Sequence, residues 1–494
     1  MSTPVILQFD ETSEFAASAV SSVTRVGQDL WIGADEGTAI VHMASDGENR
    51  FIAQDVVDLV ERLDLPAQSA EGEDLLPEID IEGMDWEASR GYLWLIGSHS
   101  LKRKKPNPAD PARNPIEQLG KVSADGNRFV LGRIPLKVGA NGESALVERM
   151  SDERFAARLD SNRFGSELLE ELRKDKLFQR FVPKKGKDSE NGNIPGKDNG
   201  LDLEGLAVAG ENRLFVGLRG PVLRGWACAL ELQIEEDARE PGKPALLRLR
   251  DFGEGNRRYR RIFLQLDGLG VRDLCFDGDD LLILAGPSMD LDWPVAIYRW
   301  KGARDKTTRD AIIELDGKTL SRVPVAVRPP GELGMDRAEG LSLWSPGSGF
   351  PRVLIAFDKP SPLRQAGRRT TVCEALQVLS PPKSGSAALL EPLWRVFIES
   401  SAPLDIQQDC AVSLGAMVRS GVHQMEADAR INPQDLENAK DHLRWFLLEM
   451  KRTAAEMQVN SLAQDVLEKT MNRLIPKGLW PFIPPRCELE DISH

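Results

Sequence analysis

The sequence predicts a mainly β fold: a β-propeller of five or six blades with a helical insertion, followed by a small all-α C-terminal domain. Two observations carry this expectation. Five stretches share one pattern, in which an acidic residue near Gly leads into a short apolar strand, a tight turn follows, and a second strand ends in small residues. Their starts lie roughly 60–70 residues apart, except for one double-length gap, and such periodicity marks a radial repeat. The texture then changes after about residue 400, where strand signals give way to helical spacing. A four-stranded blade buries both faces only by stacking on its neighbours, which suits short apolar runs rich in Val, Ile, Leu and Trp. A pair of β-sandwiches competes with this reading but leaves the fivefold recurrence of the acidic turn unexplained.

The first unit reads Val20, Val23, Val26, then Leu30-Trp31-Ile32-Gly33-Ala34-Asp35-Glu36-Gly37. The second reads Asp80-Ile81-Glu82-Gly83-Met84-Asp85-Trp86, then Tyr92-Leu93-Trp94-Leu95-Ile96-Gly97-Ser98-His99. The third has Asp202-Leu203-Glu204-Gly205-Leu206-Ala207-Val208, a polar turn at Gly210-Glu211-Asn212, and a second run ending Gly217-Leu218-Arg219-Gly220-Pro221, which together read as a β-hairpin. The fourth is Arg272-Asp273-Leu274-Cys275-Phe276 with Leu281 to Pro287, and the fifth Ala338-Glu339-Gly340-Leu341 with Val353 to Asp358. Phe129-Val130-Leu131-Gly132 sits in the double gap and suggests a sixth unit.

The propeller is expected over residues 1–400, with an insertion at about 140–200. Leu159, Phe164, Leu168, Leu169, Leu172, Leu177 and Phe181 recur near helical spacing, which predicts helix over 151–181. Residues 184–200 are polar and Gly-rich, which predicts a mobile loop. Lys102-Arg103-Lys104-Lys105 is a basic run of the kind usually found on a solvated face. Residues 401–494 are expected to form the helical domain. Asn432-Pro433 supplies an N-cap and first-turn Pro, and Leu436, Leu443, Phe446, Leu447 and Met450 fall on one face of the helix they open.

A formal net charge of −14 disfavours binding to phosphate backbones, so no nucleic-acid partner is expected. The five cysteines are scattered without a CxxC pair, which fits free thiols in a reducing compartment. The N-terminus has neither a basic nor an apolar leader segment, and no run of about 18 apolar residues exists. The expectation is a cytoplasmic protein with no membrane partner.

Three segments carry a family resemblance: Asp202 to Leu206, Val216 to Ala227, and Arg272-Asp273-Leu274 with Leu282 to Asp292. Together they resemble the bacterial family called domain of unknown function 3616, over roughly residues 4–400. The resemblance implies a propeller-like β domain and no established reaction, and it is silent on the tail.

Equivalent positions of successive blades converge near a propeller axis. The recurrent carboxylates Asp80, Glu82, Asp202, Glu204, Asp273 and Glu339 are therefore candidate ligands for a cation. Hard oxygen donors suit Ca²⁺ or Mg²⁺. His99, Arg219 and Arg272 beside them would suit an anion. The blander reading is that an Asp or Glu before Gly binds turn N–H groups, that the arginines pair with these carboxylates, and that His99 is a satisfied structural histidine. No nucleophile elbow, HExxH or Walker loop is present. Two functions follow as expectations. The first is a protein-binding or scaffolding propeller within a multi-protein bacterial system, with Phe446, Leu447, Met450 and Trp480 of the tail docking a partner. The second is a metal-dependent phosphoesterase or esterase-like hydrolase acting at the channel.

Overall fold

In the computed structural model the described residues are 2–377, apart from 48, 66–77, 108–113, 124, 148–153, 163, 184–193, 238–244, 292–294, 307–308, 324–334 and 345–351. The helical domain expected at 401–494, with Phe446, Leu447, Met450 and Trp480, lies outside them. One compact unit comprises Ser2–Arg322 and Val327–Gln377.

That unit is built from antiparallel meanders. The first runs through Val20–Val26, Asp29–Ala34, Ala39–Ser45 and Arg50–Asp58. The second runs through Ile81–Glu87, Tyr92–Gly97, Leu131–Val138 and Ala157–Leu159. The third has Asp202–Gly210, Arg213–Leu223 and Trp226–Glu236, edged by Tyr259–Gln265 and Ala245–Leu249. The fourth has Gly270–Asp277, Asp280–Gly286, Ala296–Trp300 and Leu320–Arg322. The fifth has Arg337–Leu343, Arg352–Asp358 and Thr370–Gln377, and takes its fourth strand, Ser2–Gln8, from the N-terminus.

The first strands of these meanders pack side by side in chain order, and that of the fifth packs on that of the first, which closes a ring. The arrangement is propeller-like. Each hydrophobic core lies between two adjacent meanders. Leu93 and Leu95 pack toward the first meander, while Tyr92, Trp94 and Ile96 of the same strand pack toward the third. Phe215 likewise faces the fourth meander while Leu214, Val216 and Leu218 face the second. A strand with apolar neighbours on both sides cannot alternate polar and apolar residues, which is why the sequence shows unbroken apolar runs.

Three expectations change in detail. Leu131–Val138 pairs antiparallel with Tyr92–Gly97, so it extends the second meander. The helix expected over 151–181 is confined to Glu167–Lys174, capped by Ser166. Ala157–Leu159 is instead a strand, with Ala157 and Leu159 in the core between the second and third meanders. Of the loop at 184–200, residues 184–193 lie outside the described residues, and 194–200 is a turn pinned by Gly196 N–H to Leu101 O at 3.2 Å and by Arg103 to Asp198 at 2.6 Å. No helix among the described residues is long and apolar enough to cross a membrane.

Candidate functional site

The first strand of every meander carries a register shift against its partner at the equivalent place. The extra residue is Ser21 in the first, Glu82 in the second, Arg272 in the fourth and Glu339 in the fifth; in the third, Glu204-Gly205 occupies it. A β-bulge re-aims a side chain and bends its strand. Repeated in each first strand, it places these five positions at one end of the ring. Glycine follows the glutamate in three of them because backbones meet there. A Cβ on Gly83 would lie 2.7 Å from Leu206 N, and one on Gly205, whose φ is +81°, 2.7 Å from Asp273 Cα.

The charged side chains form a buried network. Glu204 accepts from Arg219 Nη1 through Oε1 at 2.9 Å and from Arg272 Nη1 through Oε2 at 3.3 Å. The same Arg272 nitrogen donates to Glu339 Oε1 at 2.7 Å. Arg219 also donates to the carbonyls of Pro287 and Met289, both at 3.3 Å. Asp202 lies 3.8 Å from Arg219, and its Oδ1 is buried without a hydrogen-bond partner among the described residues. Asp80 pairs with Arg128 at 2.8 Å, and Arg128 also binds Glu78. Between the first and fifth meanders, Asp35 and Asp358 flank Ala19: Asp35 N–H donates to Ala19 O, and Ala19 bridges to Asp358. Asp358 pairs with Lys359 at 2.8 Å.

Glu82 differs from the other bulge glutamates. It is 8 % exposed, and among the described residues it makes no ion pair or hydrogen bond. Burial, then the charges of Glu204, Asp80 and Glu339, hold its carboxyl well above the usual range. Burial and Glu204 push Asp202 up to about 7. Burial and Glu339 push Asp358 up to about 6. Glu339 goes the other way: burial opposes ionisation, but Arg272 and Arg219 outweigh it and lower its pKa. One end of the ring thus holds glutamates fixed by arginines beside a carboxyl that favours its proton.

Two candidates stand apart from this network. Asp273 accepts from Leu274 N at 2.8 Å and from Leu341 N at 2.6 Å, so it clips the fourth meander to the fifth. Asp85 does the same between second and third, accepting from Trp86 N at 2.8 Å and Val208 N at 2.7 Å. His99 is fully buried, with Nδ1 on Gly97 O at 2.9 Å and Nε2 on Ser166 Oγ at 3.0 Å. Burial lowers its pKa to about 4. A neutral imidazole with both nitrogens engaged is not placed to bind an anion, which corrects that expectation. The basic run at 102–105 is largely engaged at the surface, with Lys102 on Glu78 at 2.9 Å and Arg103 on Asp198.

The sequence reading missed Arg128, Lys197, Asp358 and Lys359 as site residues. Asp358 carried a signal, since it ends the second strand of its unit as Asp35 follows that of the first. Arg128 and Lys197 lie outside the repeat and carried none. Lys197 is exposed and close enough to Asp202, Glu339 and Asp358 to favour their charged forms. Among the described residues no three His, Cys, Asp or Glu side chains converge closely enough to hold a metal ion.

A ring of stacked antiparallel meanders with bulge-aimed polar groups at one end defines a propeller-like β protein. The chain belongs to the family of proteins of unknown function DUF3616, which matches residues 19–374. No curated protein matches it. Among solved structures, it is similar to an engineered GH43 glycoside hydrolase with endo-xylanase and exo-arabinofuranosidase activity, at 10% identity and TM-score 0.33, covering 75% of this chain and 52% of that one. The chain therefore spans about half the length of that enzyme. It is also similar to the PQQ-bound aldose sugar dehydrogenase of Streptomyces coelicolor, at 11% identity and TM-score 0.27, covering 76% and 98%. A third similar structure is Pseudomonas fluorescens PhoX in complex with vanadate, at 11% identity and TM-score 0.23, covering 69% and 57%.

Proposed function

We propose that the bulge end of the ring is an acid–base site, and that the protein is a hydrolase acting there on a C–O or P–O bond of a small polar substrate, including an ester or a phosphoester. The observation that carries this is Glu82: a buried carboxyl without a partner among the described residues, beside glutamates fixed by Arg219 and Arg272. A general acid must hold its proton near neutral pH, and burial among like charges provides that. Glu82 would protonate the leaving oxygen as its bond to carbon or phosphorus breaks, while a water molecule forms the new bond to that atom and returns a proton to the Glu82 carboxylate. The fixed carboxylates and arginines would orient the substrate without reorganising. The metal-dependent form of this reading has less support, because Glu204 and Glu339 meet on Arg272 instead of on an open point.

The ring is read as five-bladed, each blade opening on one bulged strand. Cytoplasmic residence is supported by Cys228, Cys275 and Cys373, which are buried and unbridged.

The test is turnover of aryl esters, phosphate esters and aryl glycosides by the full chain and by Glu82→Gln. Loss of general acid catalysis should lower kcat by about 10²-fold or more with a smaller change in KM. Equal kcat in the variant would exclude Glu82 as the acid. No turnover of any class by the parent would overturn the enzymatic reading in favour of the second one, recruitment of another protein by the propeller face or the tail. That second reading is favoured by the exposed Met289 and Leu291 beside Arg219.

A further inference from the structure

The buried charges at the bulge end do not balance. Arg219, Arg272, Arg128 and Lys359 each already hold a carboxylate. Among the described residues, Glu82 and one buried oxygen each of Asp35, Asp202 and Asp358 are left over. An excess of buried negative charge is costly unless protons or a cation neutralise it. Lys197, an exposed ammonium on the 194–200 turn, lies close enough to Asp202, Glu339 and Asp358 to favour their charged forms. Its side chain makes no ion pair among the described residues.

We propose that the site takes, besides the substrate it hydrolyses, a ligand with an ammonium group, which Glu82 receives as a carboxylate and which therefore holds the acid off while it is bound. The inference rests on the reading of the bulge end as a ligand site and names the chemistry of this second occupant. The leftover oxygens come from four meanders, and among the described residues they do not converge on a single ion position. An amine with several N–H or O–H donors spans such spacing; a bare divalent ion does not. Glu82 faces Asp80 at its own strand's start, Asp202 and Glu204 of the third meander, Arg219, and Glu339 of the fifth. Binding therefore exchanges a proton. The Glu82 O–H bond breaks, the proton passes to solvent, and an N–H donor of the ligand takes its place on the carboxylate. Charge is conserved, since one cation enters as one proton leaves. Lys197 competes with the incoming ammonium for the same field.

The test is calorimetric titration of the full chain with glucosamine and spermidine, beside glucose and Ca²⁺, in two buffers of different ionisation heat. The aminated probes should bind at least about tenfold more tightly than glucose and release up to one proton. Their affinity should rise by up to about tenfold per pH unit while Glu82 is protonated. Lys197→Ala should tighten binding several-fold, and Glu82→Gln should abolish the proton release and weaken binding about tenfold or more. If Glu82→Gln proves unfolded by its melt, Lys197→Ala carries the test alone. Glucose binding as well as glucosamine, Ca²⁺ binding alone, or no binding by any probe would overturn the proposal. Glu82-dependent turnover of neutral substrates without amine binding would sink this inference and spare the enzymatic one; amine binding without turnover would do the reverse.

Discussion

Glu82 and Glu204 occupy equivalent bulges yet live in opposite electrostatic settings, because Arg219 and Arg272 reach Glu204 and neither reaches Glu82. The folded state holds a proton on Glu82 that the unfolded chain releases in the ordinary glutamate range. Its effect on stability is therefore neutral below that range, and a loss grows as pH rises from there to the folded pKa and stays constant above it. Asp202 acts in the same direction, between the ordinary aspartate range and about pH 7. Replacing Glu82 by Gln should accordingly raise Tm more at about pH 8 than at about pH 5. A uniform shift, or a larger gain in acid, would contradict the assignment. Asp273 makes a different prediction. Asp273→Ala orphans the N–H groups of Leu274 and Leu341 and should cost about 2–4 kcal/mol in denaturant unfolding. His99 should not protonate above about pH 5, since burial holds its pKa at about 4, and its NMR titration checks this.

At the scale of elements, the recurrent Glu-Gly pair was legible in the sequence as a repeat, but its meaning was not. The glycine serves backbone contact: Gly205 sits at positive φ against Asp273, where a side chain has no room. Gly205→Ala should destabilise the protein by about 2–4 kcal/mol, measured by equilibrium unfolding, through both strain and overlap. A change below about 0.5 kcal/mol would mean that the two strands do not approach in this way. The bulge itself was invisible, because the register of one strand on its partner is a property of two segments. The insertion misled for a related reason. Leu159, Leu168, Leu169 and Leu172 share one core, but Leu159 reaches it from a strand and the other three from a helix. The spacing across that junction mimics one helical face.

For the whole molecule, ring closure depends on Ser2–Gln8, which pairs antiparallel with Thr370–Gln377 and parallel with Arg50–Ile52. Val5 and Leu7 enter the core between the fifth and first meanders, so removing residues 2–8 should lower Tm and broaden the melt. The ring was readable from its period and its two-sided apolar strands. That the arginines pair with these carboxylates was readable, but which carboxylate each one holds was not, since Arg219 lies on a second strand and Arg128 on a connecting turn, and only the closed ring brings them to the bulges. The central claim is that this closure leaves Glu82 as a buried, unpaired, proton-holding carboxyl. Carboxyl-labelled glutamate NMR of the full chain, compared with Glu82→Gln, tests it most directly. The account predicts one resonance, missing in the variant, that titrates well above the other glutamates. If every glutamate titrates in the ordinary range, Glu82 is solvated or paired, and the acid–base reading of the bulge end fails with it.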